Sequence, residues 1–363
     1  RPRGARHSGQ RQAVMIQAQA PGKVVLVGEY AVLEGAPSLV MAANRQVQVT
    51  LTPNDSGIVS IDSPGITQSA SAMRLEGHDL IPLEGALAPS LEPVTRLLEA
   101  LARDEGAAPA LARGFAARLD STALYADGVK LGLGSSAALA VALAGAVIAL
   151  SECPSISPDA PGFRRLHALH RAMQGGVGSG IDVAASLLGG LVHFRRSEDD
   201  VLLDRLEIPH GVRTAFIWTG TSASTKDFLI RLDRWKGRHG GEYHALLREL
   251  STIASDAVAA AQENAAQAFI EHLGRYGGVL QELGDRSELG IYGSYHGALR
   301  DLAEGLGLTY KPCGAGGGDL GVAMTSDDAA LARFRSGAIH LGAKPVDLEV
   351  EENGLRVVSQ HER

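Results

Sequence analysis

Lys130-Leu131-Gly132-Leu133-Gly134-Ser135-Ser136-Ala137-Ala138, running directly into the apolar stretch from Leu139 to Leu150, is the segment on which the reading of the chain turns. Two glycines allow a tight turn and a close backbone approach to a ligand, and two serines follow where a helix begins. The first N–H groups of such a helix have no partners within it and sit at the positive end of its dipole, so the segment suits an anion, phosphate above all. The run from Leu139 to Leu150 is apolar nearly all round but far shorter than the roughly 20 residues of a membrane span. It reads as a fully buried helix.

Around this segment the composition narrows the possibilities. The chain of 363 residues is long enough for two domains, and 45% hydrophobic with 21% charged residues describes a globular protein that does not act at a membrane. A net charge of −7 and an aromatic content of 4% argue against a nucleic-acid partner, which needs a basic face or stacking platforms. An anionic substrate must therefore meet a local positive pocket. The two cysteines, Cys153 and Cys313, are too far apart for a disulfide framework or a metal-ligand spacing, which points to a reducing compartment, the cytoplasm. Arg1 to Gln12 is basic and polar with no apolar core after it, so it is not a secretory signal; residues 1–13 are expected to be a disordered arm, with Met15 a candidate start. The oligomeric state, monomer or homodimer, is left open.

Outward from the glycine loop the front of the chain is β-rich. Strands are expected over Val14 to Gln19, Val24 to Val27, Ser38 to Ala43 and the alternating Val47, Val49 and Leu51, with a turn at Ala20-Pro21-Gly22-Lys23. Pro93 to Ala112 has helical spacing, and Phe115 to Leu124 reads as the strand that delivers the loop. Helices follow over Phe163 to Gln174 and Val183 to Leu188, separated by Gly175-Gly176-Val177-Gly178-Ser179-Gly180-Ile181-Asp182. Charged Arg195 to Asp200 marks a hairpin tip or linker, and a domain boundary is placed near Pro209, giving domains over 14–209 and 210–363. The second begins with a strand (Val212 to Trp218), a polar segment (Thr219 to Thr225) and a helix (Lys226 to Trp235). Long helices fill Glu242 to Leu283. A second glycine-rich run, Gly314 to Asp319, then leads into a strand (Leu320 to Thr325) and a helix (Asp327 to Ser336).

Taken alone, Gly132-x-Gly134-x-x-Ala137 also fits a dinucleotide-binding turn, with Glu152 about 20 residues on as the ribose acid. The paired serines, the position outside an N-terminal βαβ unit and the further glycine runs count against it. No G-x-x-x-x-G-K-[ST] occurs, so a P-loop is excluded. Three motifs in order, Pro21-Gly22-Lys23 with Gly28-Glu29-Tyr30, then Gly132 to Ala137, then Lys311-Pro312 with Gly314-Ala315-Gly316-Gly317-Gly318-Asp319, resemble those of the GHMP kinases. The resemblance runs from Ala20 to about Thr325. Within the family, Gln174 to Val183 and Trp218-Thr219-Gly220 with Ala223-Ser224-Thr225 are most similar to the phosphomevalonate kinase branch. Mevalonate kinases typically carry His-Gly where this chain has Gln174-Gly175, and Asn where it has Val183.

The resemblance implies an α+β fold of two domains, the first like domain 2 of ribosomal protein S5 and the second ferredoxin-like. It implies ATP held by Gly132, Leu133, Gly134, Ser135, Ser136 and Ala137, with Mg²⁺ contacted by Ser135 and Ser136, and phosphomevalonate as the acceptor. Lys23 and Asp182 would be catalytic, and Lys23, Tyr30, Ser179, Gly180, Ser224, Thr225, Lys226, Gly316 and Gly317 would line the acceptor site. On the residues alone, Asp182, Ser135 and Ser136 also suit helix N-caps, and Glu29 is either a supporting carboxylate or a solvated turn residue. His167 and His170, three apart on a helix without a third ligand, read as surface or interface histidines rather than a zinc site. Three departures stand out. Arg171 occupies the place of a metal-binding glutamate, Gly176 that of a lysine for which Lys226 or Arg231 could substitute, and Cys313, open to alkylation, that of a small hydroxyl residue. Mevalonate kinase, another small-molecule kinase of the family, and a catalytically silent metabolite sensor of the same fold are the alternatives.

Overall fold

Val14–Val27 and Ser38–Pro53 form two long strands, β1 and β2, that pair antiparallel from Ile16 opposite Leu51 to Val27 opposite Leu39. They anchor the computed structural model, which describes residues 14–361 apart from 65–66, 68, 177 and 198–199. The arm expected over 1–13 and Val177 of the second glycine segment lie outside the described residues. The turn expected at Ala20-Pro21-Gly22-Lys23 is not a turn. Pairing continues through it with a register shift between Pro21 and Gly22, because proline, lacking an N–H, is accommodated at a bulge and buried residues on both sides hold the strand in the sheet.

Strands β3 (Ile58–Asp62), β4 (Ser71–Glu76) and β5 (Asp79–Pro82) follow, a region to which the sequence pattern assigned nothing. The single helix expected from Pro93 divides into α1 (Glu92–Ala102) and α2 (Ala108–Arg113). The break falls at Asp104, whose Oδ1 accepts from the Gly106 N–H at 3.0 Å. Strand β6 ends at Asp120 (Phe115–Asp120), four residues earlier than expected, and a small hairpin, β7 (Tyr125–Ala126) and β8 (Val129–Lys130), delivers the glycine loop. Then come α3 (Ser135–Leu150), α4 (Ala160–Met173), α5 (Ile181–Leu188), β9 (Leu191–Arg196) and β10 (Val201–Leu206); β9 and β10 pair antiparallel, and residues 198–199, within the charged segment expected as a tip or linker, lie outside the described residues. The first sheet has the order β10-β9-β2-β6-β3-β4-β5, with β1 on the other edge of β2. Helix α3 is buried along almost its whole length, as its all-round apolar character demands.

The remainder runs β11 (Arg213–Trp218), α6 (Thr225–Lys236), α7 (Gly240–Gln262), α8 (Ala266–Arg286), α9 (Gly293–Gly305), β12 (Thr309–Pro312), β13 (Leu320–Thr325), α10 (Asp328–His340) and β14 (Lys344–Val346). Its sheet, β12-β13-β11-β14, is antiparallel at each pairing. Counting its own strands, the order is 2-3-1-4 with helices after the first and third, the ferredoxin-like βαββαβ arrangement. The chain does not end there. Strand β15 (Arg356–His361) returns to pair with β1, so a segment expected in the second domain completes the first sheet. Leu355 closes over α3 at Gly145, where an added Cβ would lie 2.9 Å from its Cδ1. Among the described residues no helix is long and apolar enough to cross a membrane.

The two parts are joined at a buried ion pair. Glu29, after β1, accepts from Lys311 Nζ of β12 at 2.5 Å, and the two side chains are 2% and 0% exposed. Glu29 is thus neither solvated nor a turn residue in water. Its Oε1 also accepts from the Gly314 N–H at 3.3 Å, and its carbonyl from the Tyr276 hydroxyl at 2.7 Å. Removing one member of a buried pair strands the other charge, at a cost of about 3–5 kcal/mol. Lys311→Met is expected to lower the urea midpoint accordingly. Adding Glu29→Gln should recover part of the loss, and equal destabilisation by the single and double variants would show that the pair is not the joint described.

Candidate active site

A cavity of about 280 Å³ opens where β1, the glycine loop, α5, α6 and the second glycine run converge. Lys23 stands just past the bulge in β1. Its N–H donates to Leu133 O at 2.8 Å and its Nζ to Gly132 O at 3.3 Å, so the strand and the loop hold each other. Close approach requires glycine at three places. A Cβ on Gly22 would be 2.7 Å from Leu133 O, one on Gly132 (φ 81°) 2.5 Å from the Asp319 side chain, and one on Gly134 (φ 71°) 3.0 Å from Lys23 Cγ. The loop is therefore clasped between Lys23 and two carboxylates, Asp182 and Asp319.

Gly134, not a serine, is the N-cap of α3, in the left-handed conformation and without a side-chain cap. Ser135 and Ser136 lie inside the first turn, which corrects their reading as caps and leaves both hydroxyls at the cavity. Asp182 is corrected in the same way. The N-cap of α5 is Gly180, the helix starts two residues earlier than expected, and Asp182 sits in its first turn with Oδ1 accepting from the adjacent Val183 N–H at 3.0 Å. Ser224, by contrast, does cap α6, accepting from Asp227 N.

Of the residues implied by the resemblance, Lys23, Gly132, Leu133, Gly134, Ser135, Ser136, Asp182, Thr225 and Lys226 line this cavity. Ala137, Tyr30, Ser179, Gly180, Ser224, Gly316 and Gly317 do not. Ala137 is buried in α3. The Tyr30 hydroxyl donates to Ala315 O at 2.5 Å and so fixes the second glycine run from behind. Gly180 packs beneath Phe163 and His167, Gly316 against Ile291, and Gly317 against Phe228. Arg231 is turned away, donating to Glu288 O, whereas Lys226 lines the cavity. Arg171 is also turned away; its guanidinium holds Gly176 O at 2.9 and 2.6 Å. His167 and His170 are not surface residues, being 7% and 3% exposed, and it is His170 that reaches the site, its Nε2 3.4 Å from Ser136 Oγ.

Besides His170, residues given no role from sequence line the site, among them the charged Lys130 and Asp319. Asp319 (φ 58°) is pinned through its backbone by Thr219 and Thr221, and its Oδ1 accepts from Ala223 N at 3.3 Å. Burial raises its pKa, opposed by the nearby Lys23. An aspartate directly after a glycine run was the available signal. Three lysines (23, 130, 226) face two aspartates (182, 319), the local positive balance an anion needs within a chain of net charge −7. Serine hydroxyls and carboxylates are oxygen donors of the kind Mg²⁺ takes. No group of three or more His, Cys, Asp or Glu that could hold a metal exists among the described residues.

Such a site defines a class, the two-domain α+β enzymes that hold nucleotide phosphates on a glycine loop and transfer a phosphoryl group. Residues 93–190 match the GHMP kinases N terminal domain. The chain is 31% identical over 356 residues, 89% of its length and 92% of the relative's, to the phosphomevalonate kinase of Streptomyces sp. strain CL190. It is 27% identical over 349 residues, 94% of this chain and 98% of the other, to the mevalonate kinase of Thermococcus gammatolerans. The solved Streptococcus pneumoniae phosphomevalonate kinase, bound to phosphomevalonate and AMPPNP, superimposes with a TM-score of 0.77 at 19% identity, covering 92% of this chain and 99% of that one. The chain belongs to the GHMP kinases.

The second glycine run is also held by His296, which is 1% exposed. Its Nε2 donates to Gly318 O at 2.8 Å, so the neutral ring's Nδ1 accepts from the Tyr310 hydroxyl, also at 2.8 Å. Burial pushes its pKa down to about 4. The unfolded chain, with an ordinary value of about 6.5, binds more protons in between. This contribution is complete above about pH 6.5 and is lost as pH falls toward 4, a change on the order of 3 kcal/mol. The stability advantage of the wild type over His296→Gln is expected to shrink across that window in thermal melts, and a pH-independent difference would contradict the assignment. Cys313 lines the same cavity but is buried and its thiol is pushed up to about 12, so iodoacetamide at pH 7.5 is expected to leave it unmodified in the folded protein, as mass spectrometry of a protease digest would reveal.

Proposed function

We propose that the chain transfers the γ-phosphoryl group of ATP to phosphomevalonate, giving diphosphomevalonate and ADP. The observation that carries the reading is the placement of Lys23, Lys226 and Asp182 around the start of α3, together with the likeness over nearly the full chain to a phosphomevalonate kinase. In the transfer an oxygen of the acceptor phosphate bonds to Pγ and the bond from Pγ to the β,γ-bridging oxygen breaks, with ADP leaving. There is little covalent work for the protein, so catalysis rests on positioning and charge neutralisation. Ser135 and Ser136 and the free N–H groups of the first turn of α3 cradle the nucleotide phosphates. Lys23 neutralises charge on the transferred group, and Lys226, on α6, faces the same cavity and meets the acceptor's anionic end. When bound, a divalent cation, Mg²⁺ in the expectation from sequence, adds further neutralisation of the phosphates.

The proposed role of Asp182 follows from the chemistry of the acceptor. A phosphate monoester is largely ionised at neutral pH, with a second pKa near 6. Its attacking oxygen therefore needs orientation more than a base, whereas a hydroxyl acceptor needs its proton removed. Mevalonate kinase is the second reading, favoured by the full-length likeness to the Thermococcus relative. ADP release in a coupled assay, with phosphomevalonate, mevalonate and a sugar panel as acceptors, is expected to give turnover with phosphomevalonate. Turnover with mevalonate alone would replace this reading with the second. Lys23→Met should lower kcat by about 10²–10³, the cost of removing one preorganised donor at the reacting group. Asp182→Asn should cost less than that with a phosphate acceptor, and unchanged turnover would leave Asp182 without a catalytic role.

A further inference from the structure

Asp319 puts a carboxylate into a cavity whose lysines suit anions, and the proposed transfer gives it no part. A like charge repels phosphate, so the group must have another use. Its side-chain hydrogen bonds go to the segment between β11 and α6 and not to Lys23, Lys130 or Lys226. Oδ1 accepts from the Ala223 N–H at 3.3 Å, and a second bond comes from the Ser222 side chain. The backbone makes the same attachment: the Asp319 N–H donates to Thr221 O at 2.8 Å, and its carbonyl accepts from Thr219 N at 3.0 Å and Thr219 Oγ1 at 3.1 Å. Gly318 permits this approach, since a Cβ there would lie 3.0 Å from Thr221 O. On its other side the carboxylate packs on the first glycine loop, where a Cβ on Gly132 would lie 2.5 Å from Asp319 Cγ and 2.8 Å from Oδ2.

We propose that Asp319 is a positioning residue that sets the start of α6, and with it Lys226, in a fixed place relative to the first glycine loop. Ala223 immediately precedes Ser224, the cap of α6, and Thr225 and Lys226, which both line the cavity, follow directly. A carboxylate that grips Ala223 while wedged against Gly132 ties the side of the cavity assigned to the acceptor to the side assigned to the nucleotide. The link is a single side chain. Its partners are an N–H and a hydroxyl, so the role calls for an acceptor oxygen of the right shape rather than for a charge. The left-handed backbone of Asp319 (φ 58°) is open to Asn and Gly, whereas alanine would add strain of its own. Asn and Gly therefore isolate the side chain.

Two measurements test this, and only the second rests on the proposed transfer. In hydrogen-exchange mass spectrometry of the ligand-free protein, peptides that report the Ala223 amide are expected to exchange faster in Asp319→Gly than in the wild type. Asp319→Asn, whose amide oxygen still accepts from Ala223, should exchange like the wild type. In steady-state kinetics with ATP and phosphomevalonate, Asp319→Gly should raise KM for the acceptor about tenfold, the scale of one lost hydrogen bond to a charged group. KM for ATP should change little, and Asp319→Asn should restore the acceptor KM. Unchanged exchange at Ala223 in Asp319→Gly overturns the positioning role whatever the acceptor. An Asn variant as impaired as the Gly variant also overturns it, because charge and not shape would then be the function, as does a fall in kcat with the acceptor KM unaltered. Absence of wild-type turnover with phosphomevalonate defeats the proposed acceptor alone, since the exchange result decides the positioning role without it.

Discussion

The ion pair between Glu29 and Lys311 is the constraint on which the rest of the site depends. It closes a contact across 282 residues of sequence, in a place where neither side chain reaches water. Lys23 lies six residues before Glu29 on one side, and Asp319 eight residues after Lys311 on the other. Fixing the pair therefore fixes the distance between a cation from the first sheet and a carboxylate from the second. The reinforcing bonds run the same way. Tyr276 donates to the carbonyl of Glu29 and Tyr30 to that of Ala315, so the end of β1 is bolted to the second glycine run at backbone as well as side chain. A buried pair of this kind is weak evidence for stability, because desolvation offsets most of the attraction. Its value here is geometric, since an apolar pair of the same volume would not also accept from Gly314 N.

With that joint in place, the glycines become intelligible as conditions of approach rather than of flexibility. Gly22, Gly132 and Gly134 each stand where a Cβ would collide with a partner from another motif: Leu133, Asp319 and Lys23. The three motifs are thus one packing problem, and each glycine is the space occupied by a functional residue of its neighbour. Tyr30 and Asp319 are non-glycine residues held at positive φ, Tyr30 by a hydrogen bond to Ala315 across the joint and Asp319 by backbone bonds to Thr219 and Thr221 on its own side. Strained backbone persists where its surroundings over-determine it, and here the surroundings are the site itself.

Much of this was legible in the sequence where the signal was local. The all-round apolar run of α3, the strand of β11 and the glycine loop each carry their own pattern. What was misread depended on distant partners. Pro21-Gly22 has the composition of a turn, but burial on both sides of β1 keeps it in the sheet. Ser135, Ser136 and Asp182 have the composition of caps, but Gly134 and Gly180 take the left-handed conformation that lets the helices start without them. The return of β15 to β1 and the burial of Glu29 have no local signature at all. Arg171 and His170 show the limit most clearly. One residue of helical phase, about 100°, separates a side chain that grips Gly176 from one that faces Ser136, and spacing in the sequence alone did not resolve it.

That difference in phase bears on how a phosphate loop shared across a family can serve different acceptors. Under the proposed transfer the loop, Lys23 and the start of α3 meet the nucleotide and the transferred group, common to every such reaction, and so would carry no information about the group that receives the phosphoryl. Discrimination must arise where the acceptor alone makes contact, namely on α5 and its preceding glycine segment and on α6. In this chain the glycine segment lacks a cation at Gly176, and the carbonyl there is held by Arg171 on its outer side. Lys226, on a helix of the other domain whose start is fixed by the Ser224 cap, lines the cavity and is the cation that the proposed transfer assigns to the acceptor. On that reading an acceptor anion would be gripped across the domain joint, and its affinity would depend on how firmly Glu29 and Lys311 hold the two halves together. On the same reading, the residues that choose the acceptor and the pair that assembles the fold would act through the same interface.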